Sequence, residues 1–169
     1  FALRDGSGSR FSLHVNQFAN TIGIYNSMAF TTIPHNINAS EWVHIAMQLY
    51  PDSTRVFVNG SYSGTLNQGI NASLTGKPMT IGSANNIEWF NGTIDEVRVW
   101  NKILGASSIK NGKNCQLKGD ECGLVAYYNF NNNAAIVQGN NSSQTTLTDA
   151  SGNNHNGTLN NFALNGTDS

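Results

Sequence analysis

Acidic side chains are the first residues of this chain to weigh for catalysis, and it has ten of them. A retaining glycosidase needs two carboxyl groups about 5–5.5 Å apart. Alternate residues of a strand share a face, so a pair on one strand needs a run such as Glu-x-Asp-x-x-Glu. No such run occurs, and the adjacent residues Asp95 and Glu96 would point to opposite faces of a strand. Because Gly-x-Ser-x-Gly and phosphate-loop motifs are also missing from the sequence, we predict that the chain is not an enzyme.

Oxygen-bearing side chains at alternate positions make a candidate cation site of the run from Asp149 through Ser151 to Asn153. Calcium prefers oxygen ligands, roughly six to eight of them. The run lacks the twelve-residue pattern of an EF-hand, and an Asx-rich turn would explain it without a metal. Asp149 and Asn153 are therefore candidate calcium ligands, with the metal-free turn as the alternative. The four histidines have no ligand spacing relative to one another.

Trp89 is the aromatic residue whose position best fits a sugar-binding role. It lies in a predicted loop, and binding residues favour loops carried by a rigid scaffold. The apolar face of a pyranose packs well on an aromatic ring, while polar side chains bind its hydroxyl groups. We therefore predict a ligand site formed by Trp89 with Asn85, Asn86 and Glu88. The alternative is an indole folded over the edge of the domain as packing.

Cys115 and Cys122 are the two cysteines, and they lie close together in the sequence. Their spacing is not Cys-x-x-Cys, and two ligands are too few for a structural zinc site. A disulfide between them would close a small loop and stabilise the fold by about 2–3 kcal/mol at best. We predict this disulfide, with a pair of free thiols as the alternative.

The composition indicates one domain of many short strands. The 169 residues suffice to bury a core, but only 11% are charged, against about 25% in typical soluble domains. Asparagine, at 26 residues, and glycine, at 17, supply polarity and tolerate the backbone angles of turns. The net charge of −1 gives no case for nucleic acid or an anionic membrane as partner. No run of about 18 apolar residues predicts a transmembrane helix.

Strand patterns recur about every 8–12 residues, as in a sandwich or jelly roll. In Arg10–Asn16, Phe11, Leu13 and Val15 alternate with polar residues, and the dipeptide Asn59-Gly60 predicts a tight hairpin turn. A single short helix is predicted at Ala106–Gly112. The predicted strands are 10–16, 21–26, 28–33, 42–50, 54–58, 62–66, 79–82, 93–100 (as a central strand), 123–130 and 158–164.

Three segments resemble one known family and stand in its order. They are Trp42–Ala46 followed by Arg55–Gly60, then Ile81–Ser83, and then Gly92–Asn101 with its core Thr-Ile-Asp-Glu-Val-Arg-Val-Trp. Together they resemble the laminin-G-like jelly roll of the concanavalin A-like lectin and glucanase superfamily, in its bacterial secreted form. The resemblance implies an all-β, antiparallel jelly-roll sandwich.

The resemblance also implies roles for single residues. Asp95, at the start of the strand before Trp100, would hold a structural Ca²⁺, and Trp42 and His44 would be packed inside. Residues 1–130 would form the sandwich, with 131–169 as an Asn/Gly-rich tail able to contribute a closing strand. Relatives have strands before the point where this chain begins, so the sandwich would be truncated at its N-terminus or completed by the tail.

The function expected from this fold is a non-catalytic glycan-binding or adhesion module of a secreted or cell-surface protein. Its partners would be a glycan or a cell-surface or matrix ligand, together with neighbouring domains of a longer chain. Two alternatives stay open: a structural spacer or assembly domain of a surface protein, and a non-catalytic part of a glycoside hydrolase. The fold alone does not choose among them, because function depends on the site.

Overall fold

The structure is a computed structural model that describes residues 2–4, 10–16, 20–26, 30–35, 37–38, 40–70, 77–84, 88–131 and 144–160. Contacts between Cα atoms divide the chain into two compact units. The first unit is Phe1–Gly92 with Ile103–Asn114, and the second is Thr93–Lys102 with Cys115–Ser169. No helix in the described part of the chain is long and apolar enough to cross a membrane.

The larger sheet of the first unit has five strands. They are β1 (Ala2–Arg4), β2 (Arg10–Asn16), β3 (Thr21–Tyr25), β4 (Phe30–Pro34) and β8 (Met79–Thr80). Their order in the sheet is β4-β3-β2-β1-β8, and every neighbouring pair is antiparallel. Strand β2 has the predicted bounds, whereas β1 lies in a segment for which no strand was predicted.

The smaller sheet of the first unit has three antiparallel strands, β5 (Ile45–Leu49), β6 (Thr54–Val58) and β7 (Ser61–Leu66). Strands β6 and β7 meet at Asn59 and Gly60, whose φ angles are 51° and 80°. Positive φ at both central residues is the mark of the hairpin turn that Asn-Gly favours. The predicted turn is thus confirmed.

Apolar side chains from both sheets form one core. Phe11, Ile22, Ile24 and Ile33 come from the five-stranded sheet, and Val56 and Leu66 come from the three-stranded sheet. The sheets approach closely at β7, where a Cβ on Gly64 would lie 3.2 Å from Ile33 Cγ2. On β5, the residues Ile45, Met47 and Leu49 pack against this core, as the period of two predicts.

Helix α1 (Ala106–Gly112) and its flanking residues lie against the other face of the three-stranded sheet. Gln48 is buried on this face, and its Nε2 donates a hydrogen bond of 2.7 Å to Leu104 O. The helix has the predicted bounds, but its N-cap is Gly105 and no side chain caps it. A buried amide is satisfied here because a loop carbonyl replaces water.

The second unit contains two short antiparallel pairs. Strand β11 (Val97–Trp100) pairs with β12 (Leu124–Tyr128), and β13 (Thr146–Leu147) pairs with β14 (Gly157–Thr158). The prediction of a central strand over 93–100 is wrong. The strand begins only at Val97, because Glu96 has a φ of 55° that extended backbone cannot adopt, and the described strands pair it with β12 alone.

Candidate functional site

A short hairpin carries the predicted sugar-binding residues. It consists of β9 (Ser83–Ala84) and β10 (Glu88–Trp89), in which Trp89 is paired with Ser83. A hydrogen bond of 2.8 Å from Phe90 N to Gly82 O closes its base. Thr80 Oγ1 donates a bond of 2.7 Å to Ser83 O, which fastens the hairpin to the end of β8. The backbone that carries Trp89 is therefore held at several points.

Trp89 is 57% exposed, which is unusual for so large an apolar side chain. Glu88, which precedes it, is also exposed, whereas Asn85 and Asn86 lie outside the described residues. Phe90 follows at 46% exposure, and its ring lies over Gly92, where a Cβ would come within 2.8 Å of Phe90 Cε1. The hairpin thus presents two aromatic rings to solvent, while Glu88 and Trp89, as successive residues of β10, point to opposite faces of the strand.

Trp42 was expected in the interior, and this prediction is wrong. The side chain is 70% exposed. The reason is that β5 begins at Ile45, so Trp42 lies in the segment before the strand, where the alternation of buried and exposed residues does not apply. His44 lies in the same segment and is half-buried, so it is less enclosed than the predicted interior position.

Asp149 and Asn153 lie in one loop that is fastened to β12. One oxygen of Asp149, Oδ1, accepts a hydrogen bond of 2.9 Å from Tyr127 N. The amide nitrogen of Asn153 donates bonds of 3.1 Å to the carbonyl oxygens of Leu124 and Val125. Both side chains thus hold their loop against β12, whereas the sequence predicted that their oxygens bind a metal.

The carboxylate of Asp149 is almost fully occupied by hydrogen bonds. It is only 6% exposed, and besides Tyr127 N it accepts bonds from Ser151 N (2.9 Å), Ser151 Oγ (2.9 Å) and His155 N (3.0 Å). Burial by itself raises the pKa of this carboxyl group, but these donors favour its charged form. They outweigh the burial, and the pKa of Asp149 lies below its ordinary value.

These contacts fit calcium poorly. Each oxygen of Asp149 already faces N–H or O–H donors, and Asn153 turns its donor nitrogen toward β12. Asp95 is exposed, and its Oδ1 accepts a bond of 2.8 Å from Glu96 N. Among the described residues, no three His, Cys, Asp or Glu side chains gather as a metal group. Calcium at Asp95, Asp149 and Asn153 stays a prediction, and the contacts favour the Asx-type turn.

Sequence reasoning missed a polar cluster around Glu96. Its carboxylate accepts bonds of 2.8 Å from the Tyr127 hydroxyl at both oxygens, and Arg98 Nη2 lies 2.6 Å from Oε2. The Arg98 guanidinium lies over the Tyr127 ring, and it also bonds Cys115 O. Burial and the bond to Glu96 raise the pKa of Tyr127, which is 1% exposed. Because the Tyr127 hydroxyl group is buried, we infer that the cluster has a structural role.

The only sequence signal for this cluster was weak. Arg98 and Glu96 are two residues apart, so they share a face of the chain, but nothing near them in sequence indicates Tyr127. Tyr127 reaches Glu96 because β12 pairs with β11, and that pairing joins residues about 30 positions apart.

No disulfide joins Cys115 and Cys122 in the structure, where both side chains are exposed. The loop between them is held instead by Glu121, whose carboxylate accepts bonds from Lys118 N (2.7 Å) and Gly119 N (3.0 Å). The predicted disulfide therefore stays a prediction.

One solved structure is similar in fold, and a second matches more weakly. A candidate carbohydrate-binding protein from Bacteroides ovatus ATCC 8483 has a TM-score of 0.63 and 17% identity, over 90% of this chain and 45% of its own. An S-layer domain-containing protein (residues 221–444) from Clostridium thermocellum ATCC 27405 has a TM-score of 0.39 and 19% identity, over 66% of this chain and 60% of its own. This chain thus spans less than half of the Bacteroides protein. No curated protein matches the chain.

A family model identifies the fold more directly. The model of a laminin G family matches residues 1–110. This family is part of the concanavalin A-like lectin/glucanases superfamily. The antiparallel sheets described above are those of its jelly-roll sandwich. Since the match covers 110 of the 169 residues, the chain belongs to this laminin G family of the concanavalin A-like lectin/glucanases superfamily.

Proposed function

We propose that this chain is a non-catalytic glycan-binding module of a secreted or cell-surface protein. The observation that carries the proposal is Trp89, an exposed indole on a hairpin whose backbone is held by hydrogen bonds. Trp89 would stack on the apolar face of a sugar ring. Glu88 leaves the opposite face of β10, so it would accept hydrogen bonds from a part of the ligand that extends past the edge of the strand. Asn85 and Asn86, which follow β9 in the sequence and lie outside the described residues, would complete the polar contacts.

The physical case rests on exposure combined with order. An indole left in water gains free energy when a ligand covers it, at about 25 cal/mol per Å² of apolar area. A ring on a fixed backbone also loses little conformational freedom when it binds, which favours affinity. Both conditions hold at Trp89, because its strand is paired and its hairpin base is closed.

The relatives support binding, and the acidic residues support the absence of catalysis. The Bacteroides protein of similar fold is itself described as carbohydrate-binding. The superfamily includes glucanases, which use paired carboxyl groups. In the described part of this chain, Glu96 and Asp149 are occupied by hydrogen bonds within the second unit, and neither has an acidic partner within those contacts.

A binding experiment with two matched tryptophan variants tests the proposal. The protein is screened against an array of neutral oligosaccharides, and the best ligand is titrated by calorimetry. Trp89→Ala should weaken binding roughly tenfold or more, by analogy with stacking of bases on aromatic side chains. Trp42→Ala removes another exposed indole and should leave the affinity for this neutral ligand unchanged.

The melting temperature serves as the control for folding. Trp89 is more than half exposed, so its truncation should change the melting temperature little. A fall of many degrees would instead identify Trp89 as a packing residue and contradict the site. If no neutral glycan binds at millimolar concentration, the spacer function is favoured over the lectin function.

A further inference from the structure

Asparagine followed by glycine is the dipeptide of this chain most open to spontaneous modification, and it begins at residues 59, 91, 111, 156 and 165. The backbone nitrogen of the glycine can attack the side-chain Cγ of the asparagine, because glycine has no Cβ to hinder the approach. The reaction needs those two atoms close together and correctly oriented, so the local structure controls its rate. Residue 165 lies outside the described residues, and the other four sites can be compared.

Access to water does not separate these four sites. The side chains that would react are all exposed, namely Asn59, Asn91, Asn111 and Asn156. A difference in their reactivity must therefore come from hydrogen bonds and from the backbone around each glycine, which decide whether the glycine nitrogen can meet the asparagine Cγ.

Three of the four sites, called here the held sites, are fixed by the fold. Asn59 Oδ1 accepts a hydrogen bond of 3.0 Å from His44 N. Asn156 Oδ1 accepts one of 2.9 Å from Asp149 N. Asn111 lies in α1, where each backbone N–H points along the helix axis toward the carbonyl four residues earlier. Each held site must break a hydrogen bond or open a helical turn before it can react.

Asn91 lacks such restraints. It lies between β10 and β11, in a stretch without regular secondary structure from residue 91 to residue 96. Within the described part of the chain, no hydrogen bond fixes the Asn91 side chain or the Gly92 N–H. The residue before it is fixed, since Phe90 N donates a bond of 2.8 Å to Gly82 O. The Asn91 side chain can therefore rotate toward Gly92 N without opening the hairpin.

Packing also requires the glycine of this dipeptide. The Phe90 ring lies over Gly92, and a Cβ there would come within 2.8 Å of Phe90 Cε1. Any other residue at position 92 would collide with the ring unless the ring moved. The contact that holds Phe90 beside the hairpin thus keeps an unhindered glycine nitrogen next to Asn91.

We propose that Asn91 is the preferred site of deamidation and isoaspartate formation in the folded protein. The Gly92 nitrogen gives its proton to hydroxide and bonds to Asn91 Cγ. The Cγ–Nδ2 bond breaks, and ammonia leaves with a proton taken from water, so that a succinimide ring remains. Water then opens the ring at Cγ to give aspartate, or at the main-chain carbonyl to give isoaspartate. Each conversion consumes one water and releases one ammonia, without oxidation or reduction.

The modification changes the hairpin beside it. Residues 79–92 contain Glu88 as their single charged residue, so either product adds a second negative charge. Isoaspartate also lengthens the main chain by one carbon directly after Phe90, which displaces the ring from residue 92. If the function proposed for Trp89 holds, conversion of Asn91 therefore lowers the affinity of the hairpin for a neutral glycan.

Mass spectrometry of the full chain, aged in a mildly alkaline buffer, tests the modification without any ligand. Samples are digested at low pH, where the reaction stops, and electron-transfer fragmentation distinguishes aspartate from isoaspartate. Conversion at Asn91 should be roughly tenfold faster than at any held site, because the held sites must open first. In urea the four rates should become similar. Equal rates in the folded protein, or the same advantage of Asn91 in urea, would overturn the proposal.

Asn91→Gln is the matched control, because its longer side chain would have to close a larger ring, which forms more slowly. Any mass change that persists in this fragment of the variant comes from Asn85 or Asn86. Calorimetry with the neutral glycan then compares aged wild type with aged Asn91→Gln. The wild type should lose binding in proportion to its isoaspartate content, and the variant should keep its binding. Full binding by converted protein would overturn the effect on the hairpin, whereas the mass measurement judges the modification by itself.

Discussion

Asp149 is the single side chain on which the hydrogen bonding of the second unit depends most. It satisfies backbone N–H groups of Tyr127, Ser151 and His155 at once, and its own N–H donates to Asn156 Oδ1 (2.9 Å). Burying an N–H group without a hydrogen-bond acceptor lowers the stability of the fold. The Asp149 carboxylate therefore supplies the acceptors that water would otherwise provide. Its loop is thereby joined to β12 by direct hydrogen bonds.

Replacing Asp149 should destabilise the protein strongly. Asp149→Ala leaves three backbone N–H groups without their acceptor, and we expect the free energy of unfolding to fall by about 2–4 kcal/mol. The control is Asp120→Ala, which truncates an exposed acid and should change stability by less than about 0.5 kcal/mol. Urea denaturation of the three proteins at neutral pH measures the difference.

The same residue predicts a pH dependence of stability. Its pKa is lower in the folded protein than the value of about 3.9 expected in the unfolded chain. The stabilisation should therefore be complete above about pH 4 and be lost as the pH falls through the folded-state pKa. The stability difference between the wild type and Asp149→Asn should shrink over that acidic range. A difference that stays constant from pH 7 to pH 2 would contradict the assignment.

The sequence and the observed contacts lead to different predictions for calcium: the sequence proposes calcium ligands, whereas the contacts favour an Asx-type turn. Because Asp149 already accepts four hydrogen bonds, we expect millimolar Ca²⁺, added after EDTA treatment, to change the melting temperature by less than about 1 °C. Scanning calorimetry in matched buffers measures this shift. A rise of several degrees would show that an ion binds the folded state, as the resemblance implies for Asp95 and as the spacing of oxygen-bearing side chains predicts for the Asp149 loop.

Among the elements, the β6–β7 hairpin combines a local and a tertiary requirement at one glycine. Gly60 must adopt a φ of 80°, and it must also leave room for the backbone of Lys110. The dipeptide Asn59-Gly60 indicates the positive φ from the sequence alone. The need for space beside Gly60 arises only from the position of α1. On one side, the Asn59 side chain joins the hairpin turn to His44, just before β5. On its other side the turn contacts α1.

A pair of glycine variants separates these two requirements. Gly60→Ala should incur both a backbone cost of about 1–2 kcal/mol and a steric cost of about 1–3 kcal/mol against Lys110. Gly152 has a similar φ of 76° but no atom within 4 Å of a Cβ, so Gly152→Ala should incur only the backbone cost. Thermal and urea unfolding of both variants provides the measurement. Equal destabilisation would mean that Lys110 moves aside freely.

On the scale of the whole molecule, each of the two compact units buries its own apolar residues. The first holds the core cluster of the two sheets, and the second buries Leu124, Ala126 and Leu147. Helix α1 belongs to the first unit although it lies between two segments of the second in sequence. Sequence order and spatial grouping therefore differ in this chain.

Hydrogen exchange tests whether the units open independently. Ile24 is fully buried in the first unit, and Ile24→Ala should cost about 2–5 kcal/mol. Because each unit has its own buried residues, we expect the amides of β2, β3 and β6 to exchange faster in this variant, with little change in β12. Exchange measured by mass spectrometry at peptide resolution reports both sets together. An equal increase in β12 would instead indicate one cooperative unit.

Local signals in the sequence determined several of the elements of this protein. The bounds of β2, β6 and α1, and the turn at Asn59-Gly60, agree with the sequence predictions because side-chain alternation and turn preference are properties of neighbouring residues. The three family segments likewise identified the jelly roll. The strands β9, β10 and β13 were missed, since two-residue strands carry too little periodicity to detect, while the predicted strand 158–164 begins within β14 and extends beyond the described residues.

Tertiary structure alone decided which side chains are available for binding. Trp42 is exposed and Tyr127 is buried, although both stand beside alternating apolar residues. The burial of each side chain depends on its tertiary surroundings. Pairing of β12 with β11 places Tyr127 beside Glu96, whereas Trp42 lies before the start of β5 and is not directed into the core. The lysines of α1 meet the β6–β7 turn for the same reason, because contacts between residues about 50 positions apart follow from packing and leave no local pattern in the sequence.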